Sequence, residues 1–327
     1  MGERLVVLYR GNRPPGTDRI ESLADTVYAT EEELPYLLPG ADVLLAWVTS
    51  TPAIREAWPD DPEKAPRWVH AASAGVDSFL FPALVDDPQV VLTNARGVYE
   101  QPTAEYVLGM ILALAKDFPG TWEHQRRREW RPRPSEGITG RAALVWGTGP
   151  TGRAIARLLC AVGMRVSGAG RTSRTDTPDF GTVHGTSTLR SALAEADYVV
   201  LAAPLTQDTR GMVDASALAA MKPGARLINV GRGGLVDEEA LVDHLAAGRL
   251  AGAALDVFAQ EPPPAESPLW DMPGVMISPH TAGETTSERE ELVEMFLDNF
   301  ARHTEGRPLR NLVDKQRGYV VDETPPA

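Results

Sequence analysis

A chain of 327 residues is longer than one ordinary hydrophobic core needs and is sized for two domains. Its 43 % hydrophobic and 24 % charged residues are globular in balance, and the longest strongly apolar run, Val107 to Ala115, is far too short to cross a bilayer. A formal net charge of −13 argues against nucleic-acid binding, which needs an electropositive face, but permits an anionic substrate held by a few arginines.

Met1-Gly2-Glu3-Arg4 shows no signal-peptide pattern and runs straight into a predicted strand. The single cysteine, Cys160, rules out an internal disulfide framework, and both features fit a reducing cytoplasm. Leu5 to Tyr9, Val43 to Trp47, Trp68 to His70 and Val90 to Thr93 read as buried strands, with short helices such as Pro52 to Trp58 between them. That alternation predicts a parallel sheet covered on both faces. A loop carrying Asn94, Gly97 and Pro102 leads into a helix from near Thr103. The helix is apolar nearly all round and so is expected to be buried between domains or subunits. Trp122 and Trp130 beyond it either join an interface or fill the core. The basic run Arg126-Arg127-Arg128, with Arg131 and Arg133, reads as a solvated or interface surface.

A second alternating series begins at Gly140. Its candidate strands are Ala142 to Trp146, Arg165 to Gly168, Tyr198 to Ala202, Arg226 to Val230, Gly252 to Val257 and Val275 to Ser278. Its candidate helices are Thr151 to Val162, Ser187 to Ala194, Asp214 to Met221 and Asp237 to Ala247. Six strands with crossovers predict a doubly wound sheet, so the fold class is α/β with two such parallel-sheet domains. Cys160 falls in an apolar helical stretch and reads as a buried structural thiol. An amphipathic helix from about Thr286 to His303 is expected to return the chain to the first domain. The domains are then 1–98 with 285–327, and 99–284. No short internal repeat and no metal site is expected, and the tail after Tyr319 reads as poorly ordered.

Gly147-Thr148-Gly149-Pro150-Thr151-Gly152 fits G-x-G-x-x-G. Alone it could be a plain glycine turn. Here a strand precedes it, a helix follows it, and the next strand comes at βαβ spacing, which is the context of a dinucleotide site. The glycines let the backbone turn sharply and approach a pyrophosphate, whose charge meets free amides and the positive end of a helix. An NAD site usually carries Asp or Glu at the end of the second strand. This chain instead reads Ser167-Gly168-Ala169-Gly170-Arg171-Thr172-Ser173-Arg174. Arg171 and Arg174 can pair with a 2′-phosphate and Thr172 or Ser173 can donate to it, so NADP(H) is favoured and NAD(H) kept as the alternative. The plainer reading is a basic solvent loop. Asp176 comes too late after the strand to substitute.

Three further segments stand at the carboxyl ends of predicted strands, where doubly wound sheets bind ligands. They are Asn229 to Asp237, Leu255 to Pro262 and Ser278 to Gly283. Taken singly, Arg232 fits a surface turn, Glu261 a solvated carboxylate and His280 a satisfied loop. Together with the glycine loop they resemble the D-isomer-specific 2-hydroxyacid dehydrogenase family. Ser73-Ala74-Gly75-Val76-Asp77, Asn94-Ala95-Arg96-Gly97-Val98, Ala203-Pro204-Leu205-Thr206 and Asn311-Leu312-Val313-Asp314 extend the resemblance over nearly the whole chain.

The resemblance implies a Rossmann dinucleotide domain inserted into a discontinuous, flavodoxin-like substrate domain. It implies that Arg232 grips the substrate carboxylate and polarises the keto oxygen, as a planar guanidinium can. His280 becomes the proton donor in reduction, and Glu261 its carboxylate partner. The amides around Ala74 and Gly75 are implied to hold the substrate carboxylate from the other domain on closure. Asp256 would receive the nicotinamide carboxamide, and Pro204 and Thr206 would line the cofactor groove. The basic cofactor loop further resembles the glyoxylate/hydroxypyruvate reductase branch, which points to a small, polar 2-keto acid and a D-2-hydroxy acid product. A homodimer is usual in the family. Alternatives are a D-3-phosphoglycerate or other D-2-hydroxyacid dehydrogenase using NAD, or a dinucleotide-sensing, corepressor-like binding protein.

Overall fold

In the computed structural model, which describes residues 2–321, the chain divides into two units. One comprises Met1–Tyr99 with Thr285–Ala327, and the other, inserted between those segments, is Glu100–Glu284.

The first unit is built on β1 (Arg4–Leu8), β2 (Asp25–Ala29), β3 (Val43–Ala46), β4 (Trp68–Ala71) and β5 (Val91–Thr93). All pair in parallel in the order β2-β1-β3-β4-β5, a doubly wound arrangement that reverses between β1 and β3. Leu-Val-Val-Leu in β1 and Val-Leu-Leu-Ala in β3 offer no polar side, so each needs cover on both faces. Leu34, Leu38, Ile54, Phe79 and Leu84 cover one face. Val293, Phe296 and Phe300 of the helix Glu288–Thr304 cover the other, against Trp68. Burying each of those phenylalanines is worth roughly 2–3 kcal/mol, which ties the last segment of the chain to this sheet. β2 was not among the predicted strands. It is a partly exposed edge with Asp25 and Thr26, lacking the continuous apolar run that marks its neighbours.

The second unit holds β6 (Ala142–Trp146), β7 (Arg165–Ala169), β8 (Arg174–Thr177), β9 (Gly181–His184), β10 (Tyr198–Leu201), β11 (Arg226–Asn229), β12 (Gly252–Leu255) and β13 (Val275–Ile277). Their order is β13-β12-β11-β10-β6-β7-β9-β8. Eight strands correct the expected six: β8 and β9 form an antiparallel pair added beyond β7. Arg-Thr-Asp-Thr and Gly-Thr-Val-His are short, polar and at the sheet edge, so neither carries a strand's usual hydrophobic signature.

Helix Glu100–Lys116 begins three residues before the predicted start, because Pro102 is tolerated in a first turn where its missing N–H has no partner to lose. Ala104, Val107, Ile111 and Ala115 pack on Ile155 and Leu159 of the helix Pro150–Ala161. Leu108, Met110, Leu112 and Leu114 are only partly buried within the chain, and they lie off the face that packs on the helix Pro150–Ala161. Cys160 is also corrected: it is exposed, since the buried stripe of its helix runs through Gly152, Ile155, Ala156 and Leu159. Trp130 is 95 % exposed and Trp122 53 %, which removes the core-filling reading of both. The helix Phe118–Arg126 that precedes Trp130 buries none of its residues. Arg126 and Arg127 pair with Glu123, and Arg133 with Asp117, as a solvated charge run does. Among the described residues no helix is long and apolar enough to cross a membrane. Of the tail expected to be poorly ordered, residues 322–327 lie outside the described residues.

Candidate active site

One row of paired residues crosses the sheet of the second unit: Ala169, Trp146, Leu201, Asn229, Leu255 and Ile277 stand side by side at the carboxyl ends of β7, β6, β10, β11, β12 and β13. Parallel register therefore makes every loop that follows this row emerge from one edge. The glycine loop, Arg171, Pro204, Thr206, Arg232, Asp256, Glu261 and His280 are all in those loops.

After β6, Gly147 adopts φ 124°, closed to L side chains, and a Cβ there would lie 2.5 Å from the backbone of Ala202 and Ala203. A Cβ on Gly152 would lie 1.9 Å from the Gly147 carbonyl oxygen. These two glycines serve the fold: one makes the turn, and the other seats the helix against the strand. Gly149 differs, because nothing stands within 4 Å of a Cβ built on it. It is the N-cap of the helix Pro150–Ala161 and offers no side chain to cap the first-turn amides. That is the cradle a pyrophosphate fits.

Beyond β7, Arg171, Thr172, Ser173 and Arg174 are exposed. Arg174 is the first residue of β8 rather than part of a free loop, and its Nη2 donates to Thr148 Oγ1 at 3.1 Å. A guanidinium thus reaches the glycine loop. Ser173 Oγ instead accepts the Gly185 amide at 3.0 Å. No carboxylate ends β7, and Asp176 lies in β8, exposed. The residues present fit a dinucleotide. Thr206 is held through its amide by Thr209 Oγ1 at 2.8 Å, and Pro204 is exposed beside it.

Arg232 follows β11 in a turn clamped by buried Asn229, whose Nδ2 donates to the Arg232 carbonyl at 3.0 Å while Oδ1 accepts the Gly231 amide at 3.1 Å. Arg232 Nη1 donates to the Gly231 carbonyl at 2.8 Å. A Cβ on Gly233 would lie 1.7 Å from the Phe258 backbone, so the β11 and β12 loops touch main chain to main chain. Only glycine permits that approach.

Glu261 holds the Phe258 amide with Oε1 at 3.0 Å and meets His280 Nδ1 with Oε2 at 2.8 Å. An ionised carboxylate only accepts, so Nδ1 carries the proton and Nε2 is the ring nitrogen that Glu261 does not engage. Both side chains remain partly exposed, at 46 % for His280 and 38 % for Glu261, as a site that must admit a ligand requires. His280 has φ 57°, a left-handed backbone that costs a residue with a Cβ about 1 kcal/mol. Asp256, 1 % exposed, holds it there. Its carbonyl accepts the His280 amide at 2.8 Å, and its carboxylate accepts the amides of Thr281 and Ala282 at 2.9 and 3.0 Å. Ser278 Oγ donates to the same carboxylate at 2.6 Å. Sequence reasoning did not find the work of Asn229 or Ser278, because hydrogen bonds between loops leave no spacing signal.

In the first unit, Ala74 and Gly75 follow β4. The Ala74 carbonyl accepts from Asn94 Nδ2 at 2.6 Å and the Gly75 carbonyl from Ser73 Oγ at 2.6 Å. Both carbonyls are thereby fixed, and among the described residues the amides of Ala74 and Gly75 have no acceptor. No group of three His, Cys, Asp or Glu side chains among the described residues could hold a metal ion.

Comparison with known proteins identifies the family of the chain. Residues 108–282 match the model of the D-isomer specific 2-hydroxyacid dehydrogenase NAD binding domain. Glyoxylate/hydroxypyruvate reductase B of Pectobacterium carotovorum is 33 % identical over 263 residues, covering 78 % of this chain and 81 % of that protein. A D-isomer specific 2-hydroxyacid dehydrogenase from Xanthobacter autotrophicus, solved with NADPH and MES, superposes with a TM-score of 0.79 at 31 % identity, covering 97 % of this chain and 99 % of that one. An NADPH-dependent glyoxylate/hydroxypyruvate reductase from Sinorhizobium meliloti, solved with NADP and sulfate, gives 0.80 at 28 % identity, covering 97 % and 100 %.

Proposed function

Because this chain belongs to the D-isomer specific 2-hydroxyacid dehydrogenase family, and is thereby an NAD(P)-dependent oxidoreductase, we propose that it reduces small, polar 2-keto acids of the glyoxylate and hydroxypyruvate kind to D-2-hydroxy acids. The observation that carries this reading is the His280–Glu261 pair at 2.8 Å, one strand away from the turn that presents Arg232.

The reduced nicotinamide supplies the hydride when bound. Arg232 grips the carboxylate with its planar fork and polarises the keto oxygen. His280, protonated on both nitrogens, gives its Nε2 proton to that oxygen and keeps its Nδ1 proton on Glu261. The two cationic groups face charge that develops only as the carbonyl is reduced, which is where stabilisation accelerates a reaction. One keto acid, one hydride and one proton give one hydroxy acid, and the imidazole ends neutral. The amides of Ala74 and Gly75 are assigned to the substrate carboxylate, supported by their lack of a protein acceptor.

The proposal includes NADP(H) as the preferred cofactor, supported by Arg174 at the glycine loop and by the absence of a carboxylate after β7. Gly147 to Gly152 take the pyrophosphate, Arg171 to Arg174 the 2′-phosphate, and Pro204 and Thr206 the groove wall. Asp256 takes the carboxamide, for which Oδ2 carries one protein donor and keeps capacity for another. The chain is further proposed to act in the cytoplasm as a homodimer, with the exposed Phe118, Trp122 and Trp130 as the apolar surface that a second copy would cover. Sedimentation tests that part: a dimer that dissociates in Trp122→Asp supports it, and a monomer overturns it.

The experiment for the reaction offers glyoxylate, hydroxypyruvate, pyruvate and phenylpyruvate with each cofactor, followed by chiral analysis of the glycerate formed from hydroxypyruvate. D-glycerate, with faster turnover of the two small polar acids, is expected. L-glycerate, or a preference for phenylpyruvate, would overturn the substrate assignment.

A further inference from the structure

Tyr106 and Ser278 lie outside the assigned site, yet both hydrogen-bond toward the loop that carries His280. Tyr106, on the helix Glu100–Lys116, bonds to the Ser278 hydroxyl just beyond β13. Ser278 Oγ lies 2.6 Å from Asp256 Oδ1. Direction follows from the inventory of protons. Three donors converge on the Asp256 carboxylate, as an ionised acceptor requires, so the Ser278 proton points to Asp256. The Ser278 oxygen then accepts, and Tyr106 donates to it.

This ordered pair of hydroxyls fixes the plane of a carboxylate whose other tasks are local. Oδ1 also holds the Thr281 amide and Oδ2 the Ala282 amide, the two residues that follow His280. His280, directly before them, sits at φ 57°, a conformation its side chain disfavours and its neighbours must enforce. The direction of the imidazole, and with it the contact to Glu261, depends on that turn.

We infer that Tyr106 and Ser278 are positioning residues for the proton donor: they orient the Asp256 carboxylate, which holds residues 280–282 so that His280 Nδ1 stays on Glu261 and Nε2 stays available. For its effect on turnover this inference rests on the reductase reading above. The hydrogen bonds it invokes do not.

The test compares Tyr106→Phe, Ser278→Ala and Ser278→Thr with the parent protein. Kinetics use NADPH and hydroxypyruvate, and the His280 tautomer is read from imidazole nitrogen resonances. Loss of either hydroxyl should lower kcat about tenfold with KM held within about twofold, since a misplaced proton donor costs rate more than binding. The His280 resonances should move from one tautomer to a mixture. Ser278→Thr, which keeps the hydroxyl, should return kcat to within about threefold of the parent. Tyr106→Phe keeps the ring packed, so it reports on the hydroxyl alone should Ser278→Ala fail to fold. Unchanged kcat with a single tautomer in Tyr106→Phe would overturn the inference. So would a lower melting temperature with the tautomer still single. If the parent reduces no keto acid, the reductase reading fails, and the tautomer decides the positioning role by itself.

Discussion

His280 Nδ1 stands 2.8 Å from Glu261 Oε2, while the other oxygen of that carboxylate is held by the Phe258 amide at 3.0 Å. The carboxylate is thus oriented by main chain on one side and orients an imidazole on the other. Glu261→Gln keeps the shape but removes the charge facing the ring. Its kcat should fall by about 10- to 100-fold with the melting temperature held, and His280→Ala should lose about 10²- to 10⁴-fold. Steady-state kinetics beside thermal melts check both, and a fully active His280→Ala would remove His280 from the reaction.

Gly149 and Gly152 belong to one motif but meet different surroundings. A Cβ on Gly149 enters open space, whereas one on Gly152 lands 1.9 Å from the Gly147 carbonyl oxygen. Gly149→Ala should therefore fold normally and weaken dinucleotide binding about tenfold or more, because the methyl occupies the approach of the pyrophosphate. Gly152→Ala should lower stability by about 1–3 kcal/mol before any effect on binding is considered. Denaturant melts and fluorescence titration with NADPH separate the two. Equal loss of stability in both variants would contradict the division of roles.

Much of this was readable without coordinates, for physical reasons that differ by element. β1, β3 and β10 are apolar on both faces and announce themselves, and the glycine loop is tied to a strand before and a helix after. β2, β8 and β9 are edge or hairpin strands whose polar residues face water, so hydrophobic pattern is silent about them. Cys160 shows the converse error: apolar neighbours along the chain do not bury a residue lying off the buried stripe of its helix. The resemblance singled out Asp256 for a nicotinamide carboxamide. That it also pins Thr281 and Ala282 could not be read, since such bonds depend on how two loops meet.

Arg174 Nη2 reaches Thr148 Oγ1 at 3.1 Å, which brings a positive charge to the glycine loop. Arg174→Ala should raise the Kd for NADPH about tenfold or more and leave that for NADH within about twofold. Calorimetric titration with both cofactors reads the difference. Equal weakening of the two would assign Arg174 to loop structure rather than to the 2′-phosphate.

His70 sits in β4 fully buried, with Nδ1 on Thr93 Oγ1 at 2.8 Å and, among the described residues, no partner for Nε2. Burial holds its pKa down to about 3, so the ring is neutral in the fold but takes a proton in the unfolded chain near its ordinary value of 6.5. The unfolded state therefore binds more protons between those values, and stability falls as the pH drops through that window. The slope should approach about 1.4 kcal/mol per pH unit near pH 4.5 and vanish above about pH 7. Urea melts of the parent and His70→Phe across this range isolate the contribution. Parallel pH dependences in the two proteins would contradict it.

The most direct test of the whole account is the rate of NADPH oxidation with hydroxypyruvate, measured side by side for the parent protein and His280→Ala. The account expects rapid oxidation by the parent and a loss of about 10²-fold or more in the variant, with NADPH still bound by both. Equal rates in the two proteins, or NADPH bound by the parent with no hydroxypyruvate reduced, would contradict it.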